Sequence, residues 1–327
     1  MEMTLPFEKN VREVIVREKS ETSDKFGQYP EKRSVKELLN LGIINIDKPA
    51  GPTSHQVSAY LQKILGVKKG GHSGTLDPNV TGVLPIALDK ATKIIQTLLK
   101  AGKEYVCLMH LHKSVHEKDL YKVFKKFTGK IKQLPPIKSS VKRQIRERRI
   151  YYIDVLEIKD NDVLFRVGCQ AGTYIRKLVH DIGQELKTGA HMAELRRTKA
   201  GPFNETGLYT LQDVADAYYY YKKHHNETFI RKVVRPVEEA VSHLPKIWVR
   251  DTTVDSLCHG ASLAVPGIVK LESGISDGEL VAVFTLKNEL VSYGKALMTS
   301  KSMMGNKGMA IKTDKVVMES GVYPKIK

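Results

Sequence analysis

The chain has 327 residues, of which 41% are hydrophobic and 27% are charged. This balance excludes a disordered tail protein, and a chain of this length predicts two domains. Lysine and arginine number 53 against 36 aspartates and glutamates, so the net charge is +17, which is typical of proteins that bind nucleic acid.

The N-terminal part of the chain predicts an arm followed by alternating strands and helices. Residues 1–40 carry eight basic and eight acidic side chains and little periodicity, which indicates either a tail or an arm that packs on another part of the fold. After the arm, apolar runs bounded by turn residues predict strands, and capped segments with helical spacing predict helices. The predicted strands are 42–47, 82–88 and 105–111, and the predicted helices are 54–65, 90–99 and 118–127.

Residues 130–150 are unusually basic. They hold eight lysines and arginines against one acid, Glu147. So high a local density of positive charge does not favour folding, because like charges repel. Pro135-Pro136 disfavours both a helix and a central strand at this point. We therefore predict an exposed loop that contacts nucleic-acid phosphates, with a merely solvated loop as the alternative.

The pattern changes again near residue 244. Before it, 151–158 and 163–167 predict a hairpin, and 174–186 and 211–221 predict helices. After it, strand-like segments alternate with glycine turns at 247–249, 263–265, 280–286, 290–298, 309–311 and 315–318. We therefore expect a second, β-rich domain. The expected division is an arm (1–40), a larger domain (41–243), the β-rich domain (244–321) and a tail (322–327).

The first residues and the cysteines bear on location. The chain starts MEMTLPFEKN, without the apolar core of a secretory signal. It also lacks the run of about 18 uncharged apolar residues that would predict a transmembrane helix. Cys107, Cys169 and Cys258 stand far apart and form no CxxC pair. We expect no disulfide framework, no metal site and no membrane association, and a cytoplasmic location.

One loop carries a candidate catalytic residue. Residues 70–78 (GGHSGTLDP) contain three glycines and a single carboxylate, Asp77, which Pro78 biases towards extended backbone. Small residues before a fixed carboxylate leave room for a bulky ligand, which favours a presented catalytic acid. An aspartate that caps the turn before Pro78 is the alternative.

Four motifs, in order, resemble a known enzyme family. GHSGTLDP (71–78), followed by TGVLP (81–85), resembles the catalytic motif of the TruB family of pseudouridine synthases. GIINIDKPAGPTS (42–54) resembles the first motif of the family, and KEY (103–105) resembles its segment with the active-site tyrosine. AGTYIR (171–176) resembles its motif with a tyrosine and an arginine.

Further segments resemble the dyskerin-type, RNA-guided branch of that family, in its archaeal form. They are GAHMAELRRT (189–198), HGA (259–261) and VPGI (265–268), the last two in the region where the branch carries a PUA domain, an RNA-binding module. The resemblance implies an α+β fold. Its catalytic domain would have a mixed/antiparallel sheet, with helices and loops around a central cleft, beside a small β-barrel-like PUA domain.

The resemblance implies that uridine is converted to pseudouridine without a metal or organic cofactor. Asp77 is then the nucleophile, buried and kept ionised by the neighbouring Arg176. Tyr105 stacks on the flipped-out base, and Tyr174 packs below it or moves protons. From the residues alone, Arg176 can equally be a surface arginine, and both tyrosines can be core residues.

The same resemblance and the charge pattern assign residues to RNA binding. Substrate RNA is expected on a thumb loop at 130–150, and guide RNA on the C-terminal module. The assigned residues are Lys48, His72, Lys142, Arg143, Arg146, Arg148, Arg149, Gly260, Gly267 and Lys270. Three alternatives stay open: Lys48 supports its own loop, His72 is a structural histidine, and the two glycines serve turns only.

Three functions are compatible with these features. The resemblance implies the catalytic subunit of an H/ACA guide-RNA particle, with guide RNA, substrate RNA and small H/ACA core proteins as partners. A stand-alone TruB-type tRNA pseudouridine-55 synthase is the alternative. A non-catalytic RNA scaffold is the third, and the presence of Asp77, Tyr105, Tyr174 and Arg176 disfavours it.

Overall fold

The structure, a computed structural model, describes residues 3–135 and 142–325. Its α-helices are α1 Val35–Leu41, α2 Ser54–Leu65, α3 Ile95–Lys100, α4 Glu117–Phe127, α5 Ile175–Glu185, α6 Leu211–His224, α7 Thr228–Val233 and α8 Asp251–Cys258. Short 3-10 helices lie at Pro6–Lys9, Pro30–Lys32, Asp89–Ile94, Val237–Val241, Val265–Gly267 and Ser302–Met304.

The strands form two sheets. In chain order they are β1 Val14–Val16, β2 Gly42–Lys48, β3 Gly70–His72, β4 Thr81–Leu88, β5 Lys103–Leu111, β6 Gly129–Gln133, β7 Arg146–Lys159, β8 Asp162–Cys169, β9 Ala190–Ala200, β10 Phe203–Asn204, β11 Arg235–Pro236, β12 Lys246–Val249, β13 Leu263–Ala264, β14 Ile268–Glu272, β15 Leu280–Thr285, β16 Leu290–Ala296 and β17 Met309–Val316. The larger sheet has the order β11-β2-β4-β9-β5-β8-β7-β6, with β3 and β10 paired at its side. The smaller has the order β1-β14-β12-β15-β16-β17-β13.

Local signals set the ends of α2 as predicted. The Thr53 hydroxyl accepts a hydrogen bond from Gln56 N, and the Gln56 side chain accepts one from Thr53 N, a capping box. Gly66 ends the helix with a φ of 66°, a conformation that favours glycine. The helix predicted at 90–99 is instead a 3-10 turn followed by the short α3.

The larger sheet brings distant motifs together. Most of its strand pairs are antiparallel, but β4 and β9 run parallel, with Gly82 opposite Arg197. Gly82 has a φ of 101°, and a Cβ there would lie 2.2 Å from Arg197 O, so only glycine allows this approach. The pairing carries the loop before β4, which holds Asp77, to the middle of the sheet. The α+β fold class is confirmed.

The prediction of a loop over 130–150 is wrong at both ends of that stretch. β6 and β7 pair antiparallel, with Lys130 opposite Arg149 and Lys132 opposite Glu147. We call this the basic hairpin. Ile131 and Ile150 pack against the apolar core, and this burial outweighs the repulsion between the basic side chains. Residues 136–141, including Pro136, lie outside the described residues.

The smaller sheet holds the β-rich C-terminal part and the N-terminal arm. β1 of the arm pairs with β14, placing Ile15 opposite Leu271. The predicted strands at 309–311 and 315–318 are one strand, β17, while α8 and β14 were not predicted. Arg12 of the arm forms an ion pair with Glu279 at 2.6 Å. The expected domain boundaries stay a prediction.

A buried intersheet interface joins the two sheets. Trp248, Phe284 and Tyr293 of the smaller sheet belong to one apolar cluster with Ile43 and Val83 of the larger. Beside this cluster, the buried Arg33 donates two hydrogen bonds of 2.8 Å to Glu238, which also accepts one from Leu290 N at 2.9 Å. The two sheets therefore share this apolar cluster.

Candidate active site

The backbone on either side of Asp77 is held in place. Ser54, the fully buried first residue of α2, accepts a hydrogen bond from Leu76 N at 2.9 Å and donates one to Leu76 O at 3.3 Å. On the other side, Pro78 O accepts a hydrogen bond from Gly51 N at 3.0 Å. The loop backbone is therefore fixed while the Asp77 side chain projects from it.

Lys48 supports the same loop from below. It is 0% exposed, and its ammonium donates to the carbonyls of Pro49, Pro78 and Val80 at 2.8, 2.9 and 2.8 Å. All three ammonium protons are used, so the assignment of Lys48 to RNA binding is wrong and the alternative, loop support, is confirmed. Burial lowers the pKa of Lys48, and the nearby Asp77 carboxylate opposes that shift.

Asp77 meets Arg176 as expected. Arg176, in the first turn of α5, donates a hydrogen bond from Nη2 to Asp77 Oδ2 at 2.9 Å. Their side chains are 62% and 61% exposed, so the expected burial of Asp77 is wrong. The ion pair is open to solvent, and we call the region of Asp77, Tyr105, Tyr174 and Arg176 the cleft. The exposed carboxylate is accessible to a ligand.

The sequence reasoning missed Arg197, which lies behind the cleft. This arginine is 1% exposed. Its Nε donates to Val83 O at 2.7 Å, and both terminal nitrogens approach Gly74 O at 3.3–3.4 Å. It faces Tyr105. Burial raises the pKa of Tyr105, and the Arg197 guanidinium offsets part of that rise. The guanidinium thus links the catalytic loop to Tyr105, a contact that depends on the parallel pairing of β4 with β9.

Tyr174 is positioned through its backbone. It precedes α5 directly, and its N and O exchange hydrogen bonds of 3.0 and 3.1 Å with the buried side chain of Gln133 in β6. Arg148 of β7 donates to Gly172 O at 3.1 Å. The basic hairpin is therefore bonded to the segment that carries Tyr174 and Arg176.

His72 is not a phosphate-binding cation. Burial lowers its pKa to about 4, with smaller contributions from His55 and Arg197. Its ring meets that of His55 edge-on, with centroids 4.7 Å apart. A ring that is uncharged near neutral pH favours the structural alternative, and the assignment of His72 to RNA binding stays a prediction.

The five basic residues assigned from 142–149 divide into two groups. Lys142, Arg143 and Arg149 are exposed, as an RNA contact requires. Arg146 is partly buried and donates to Lys142 O at 3.4 Å, and Arg148 bonds to Gly172. The structure therefore favours the first group as the phosphate-contacting residues.

The three C-terminal residues assigned to RNA are not equivalent. Gly260 lies in an open turn with φ 91° and no atom within 4 Å of the position that a Cβ would occupy, whereas Gly267 packs against Thr253. Lys270 lies in β14 with its ammonium 4.7 Å from the ring centroid of Trp248. This cation–π contact holds Lys270 against the sheet, so Gly260 is the most accessible of the three.

Residues 3–135 and 142–325 contain neither a metal-binding cluster nor a membrane-spanning helix. No group of three or more histidine, cysteine, aspartate or glutamate side chains in these ranges has the geometry to hold a metal ion. No helix in them is long and apolar enough to span a membrane.

Comparison with known proteins places this chain in a family. It is 58% identical over 98% of its length to a probable tRNA pseudouridine synthase B of Methanopyrus kandleri, covering 95% of that protein. The protein with the same description from Thermococcus kodakarensis is 56% identical, over 96% of this chain and 94% of its own. The chain belongs to the TruB family of pseudouridine synthases. It is therefore an RNA-modifying enzyme, as the motifs implied.

Four family models match successive parts of the chain. Residues 62–175 match the N-terminal domain of TruB family pseudouridylate synthases, and 176–242 match the C-terminal domain of tRNA pseudouridylate synthase B. Residues 2–58 match the DKCLD domain, and 245–317 match the PUA domain. All four cleft residues fall within the first two matches or at their junction.

Solved structures resemble the whole described chain. A Cbf5-Nop10-Gar1 complex contains a chain 54% identical, with a TM-score of 0.94 over 99% of both chains. An H/ACA RNP bound to a substrate RNA containing 2′-deoxyuridine contains one 51% identical, with a TM-score of 0.92 over 98% and 99%. These matches confirm the dyskerin-like resemblance.

Proposed function

We propose that this chain is the catalytic subunit of an H/ACA guide-RNA particle that isomerises uridines of ribosomal RNA to pseudouridine. One observation carries the proposal: Asp77 and Arg176 form an ion pair of 2.9 Å that is open to solvent. The loop of Asp77 is held by hydrogen bonds to its backbone on both sides of this residue. The likeness to chains solved with Nop10, Gar1 and H/ACA RNA supports the assembly.

The chemistry needs one ionised carboxylate. The bond from the sugar C1′ to the base N1 breaks, the base turns, C5 joins C1′, the C5 proton leaves and N1 gains a proton. Asp77 acts on C1′ as nucleophile or removes the proton beside it, and both routes require a carboxylate that reaches the sugar. Arg176 stabilises the ionised form as the bound RNA excludes water from the cleft.

The remaining cleft residues serve the extruded base. A uridine within a stacked helix cannot reach Asp77, so the nucleotide must leave the stack, at a cost of a few kcal/mol. Tyr105 offers an aromatic face that offsets part of this cost, and Tyr174 packs below the base or moves protons. Arg197 keeps Tyr105 and the catalytic loop in a fixed relation through Gly74 O.

The RNA would be held at two places. Lys142, Arg143 and Arg149 of the basic hairpin meet substrate phosphates, and the C-terminal module with its turn at Gly260 contacts guide RNA. Small H/ACA core proteins dock on the catalytic domain. A cytoplasmic location belongs to the same proposal and agrees with the free thiols of Cys107, Cys169 and Cys258.

A second candidate is modification of tRNA by the chain alone, and the relatives' names, which include tRNA, support the substrate part of it. Tritium release from RNA labelled with [5-³H]uridine distinguishes the two, because the C5 hydrogen is lost when C5 joins the sugar. We expect ribosomal RNA fragments to react only when a complementary guide hairpin and the small core proteins are added. Unguided reaction with tRNA at the same rate would favour the second candidate, and no release from either RNA would contradict both.

A further inference from the structure

A buried carboxylate lies next to Tyr105 in the chain and takes no part in the cleft. Glu104 is 4% exposed. It accepts hydrogen bonds from the hydroxyls of Thr198, at 2.8 Å, and Tyr152, and it lies 4.0 Å from Lys199 Nζ. A buried carboxylate is costly to desolvate, so these partners are needed to keep it in place.

These partners surround an irregularity between β5 and β9. Glu104 pairs with Lys199, but Tyr105 pairs with Arg197, so Thr198 is an extra residue, a β-bulge. A bulge changes the direction of neighbouring side chains, and bulges are common beside active sites. Here the bulge allows Tyr105 and Arg197 to meet on the cleft side of the sheet, while the Thr198 hydroxyl bonds to Glu104.

Two further features hold the network together. A Cβ on Gly168, opposite Tyr152, would lie 2.3 Å from the Tyr152 ring, so this glycine makes room for the tyrosine to reach Glu104. On the outer side, Glu8 of the arm binds Lys199 Nζ at 2.8 Å, next to the fully buried Leu5. The arm therefore covers the network as well as pairing with the smaller sheet.

We propose that Glu104 is a positioning residue for the reaction: it fixes the bulge at Thr198 and thereby aims Tyr105 and Arg197 towards Asp77. The proposal rests on the proposed function, because it assigns Tyr105 to the base. Glu104 touches no reacting atom and acts through the geometry of two strands.

The chain offers a matched control in the other sheet. Glu289 is 5% exposed and also accepts hydrogen bonds from a threonine and a tyrosine, Thr285 and Tyr323. Glu104→Gln and Glu289→Gln remove the same charge from similar surroundings. Only the first is next to the cleft, so a purely structural role predicts the same consequences for both.

The experiment measures kcat and KM by tritium release from [5-³H]uridine RNA, at a temperature where near-ultraviolet circular dichroism shows every variant folded. We expect Glu104→Gln to lower kcat about tenfold or more with KM within about twofold, because misplacing catalytic groups by about 1 Å can cost about 100-fold and a smaller displacement costs less. Glu289→Gln should keep the kcat of the wild type. Thr198→Val should resemble Glu104→Gln, and Thr198→Ser, which keeps the hydroxyl, should restore kcat.

Equal kcat for the two glutamine variants, or a loss confined to KM, overturns the positioning role. If Glu104→Gln does not fold, the Thr198 pair decides: equal kcat for Thr198→Val and Thr198→Ser overturns the role. Lack of tritium release by the wild type itself counts against the proposed function, and it is thereby distinguished from failure of the present proposal.

Discussion

Two ion pairs show how differently the cleft and the intersheet interface are built. Asp77 and Arg176 meet in the cleft with side chains 61% and 62% exposed, whereas Arg33 and Glu238 beside the interface are 6% and 11% exposed. An exposed pair contributes about 0–1 kcal/mol to stability, while breaking a buried pair costs roughly 3–5 kcal/mol. Stability therefore depends little on the cleft pair, for which we propose a chemical role, and more on the interface pair, which joins the two sheets.

The cleft and the intersheet interface also differ in which groups are held in place. In the cleft the fixed parts are backbone groups, bonded by Ser54 and Lys48, and the side chain of Asp77, the proposed nucleophile, stays accessible. At the interface the fixed parts are side chains, in an apolar cluster that includes Trp248 and Phe284. Substitutions in the two regions should separate activity from stability.

The largest effect is expected at Asp77. Asp77→Asn keeps the shape of the side chain but removes the nucleophilic charge, so pseudouridine formation should fall by on the order of 10⁴-fold or more. The free energy of unfolding should change by no more than about 1 kcal/mol, because the pair is exposed. Tritium release and urea denaturation measure the two quantities. Turnover near that of the wild type would contradict the assignment of Asp77.

At the intersheet interface we expect a substitution to lower stability and leave activity unchanged. Arg33→Met leaves Glu238 buried without its guanidinium, so the free energy of unfolding should fall by roughly 3–5 kcal/mol, while kcat per folded molecule stays the same. Denaturation in urea gives the first quantity. The double variant Arg33→Met/Glu238→Met should recover part of the loss, and an equally unstable double variant would argue against an unpaired charge as its cause.

A smaller effect is expected where the basic hairpin meets RNA. Replacing Lys142 and Arg143 by glutamine should weaken substrate RNA binding about tenfold and reduce the slope of log K against log salt by roughly 1 to 2, since each contact with single-stranded RNA contributes about 0.7. Titration of labelled RNA across a KCl series provides the measurement. The exposed pair Lys222 and Lys223 at the end of α6 is the matched control. The same slope for both double variants would exclude a specific contact by the hairpin.

The last effect concerns the pH dependence of stability at the intersheet interface. Burial lowers the pKa of His243 to about 4, from an ordinary value of 6.5. Because the folded-state value is the lower one, the stabilising contribution is complete above pH 6.5 and is lost as the pH falls towards 4. His243→Phe, which keeps a ring beside Phe7, should remove up to about 3 kcal/mol of this acid dependence, because one pKa unit corresponds to about 1.4 kcal/mol. Unfolding curves between about pH 4 and 7 test this, and superimposable profiles would contradict it.

Much of the fold was predictable because its signals are local. Thr53 and Gly66 mark the ends of α2 within four residues of the groups they satisfy. The hairpin of β7 and β8 follows from two apolar segments and one turn, and Asp77 and Arg176 were identified by the motifs that contain them. One error fell where charge suggested solvent but distant apolar partners prevailed, as at Ile131 and Ile150. The expected burial of Asp77 failed in the opposite direction, because its side chain is exposed.

The order of residues alone thus specified the candidate nucleophile, its guanidinium partner and the two-sheet composition of the chain, since short-range caps, alternation and motifs encode them. Tertiary structure decided that Lys48 faces three carbonyls, that Arg197 spans from Gly74 to Val83, and that Glu104 holds a bulge. Most of these contacts join residues that lie far apart in the chain. Burial and strand register, which no local pattern encodes, determine whether a charged side chain meets solvent or protein.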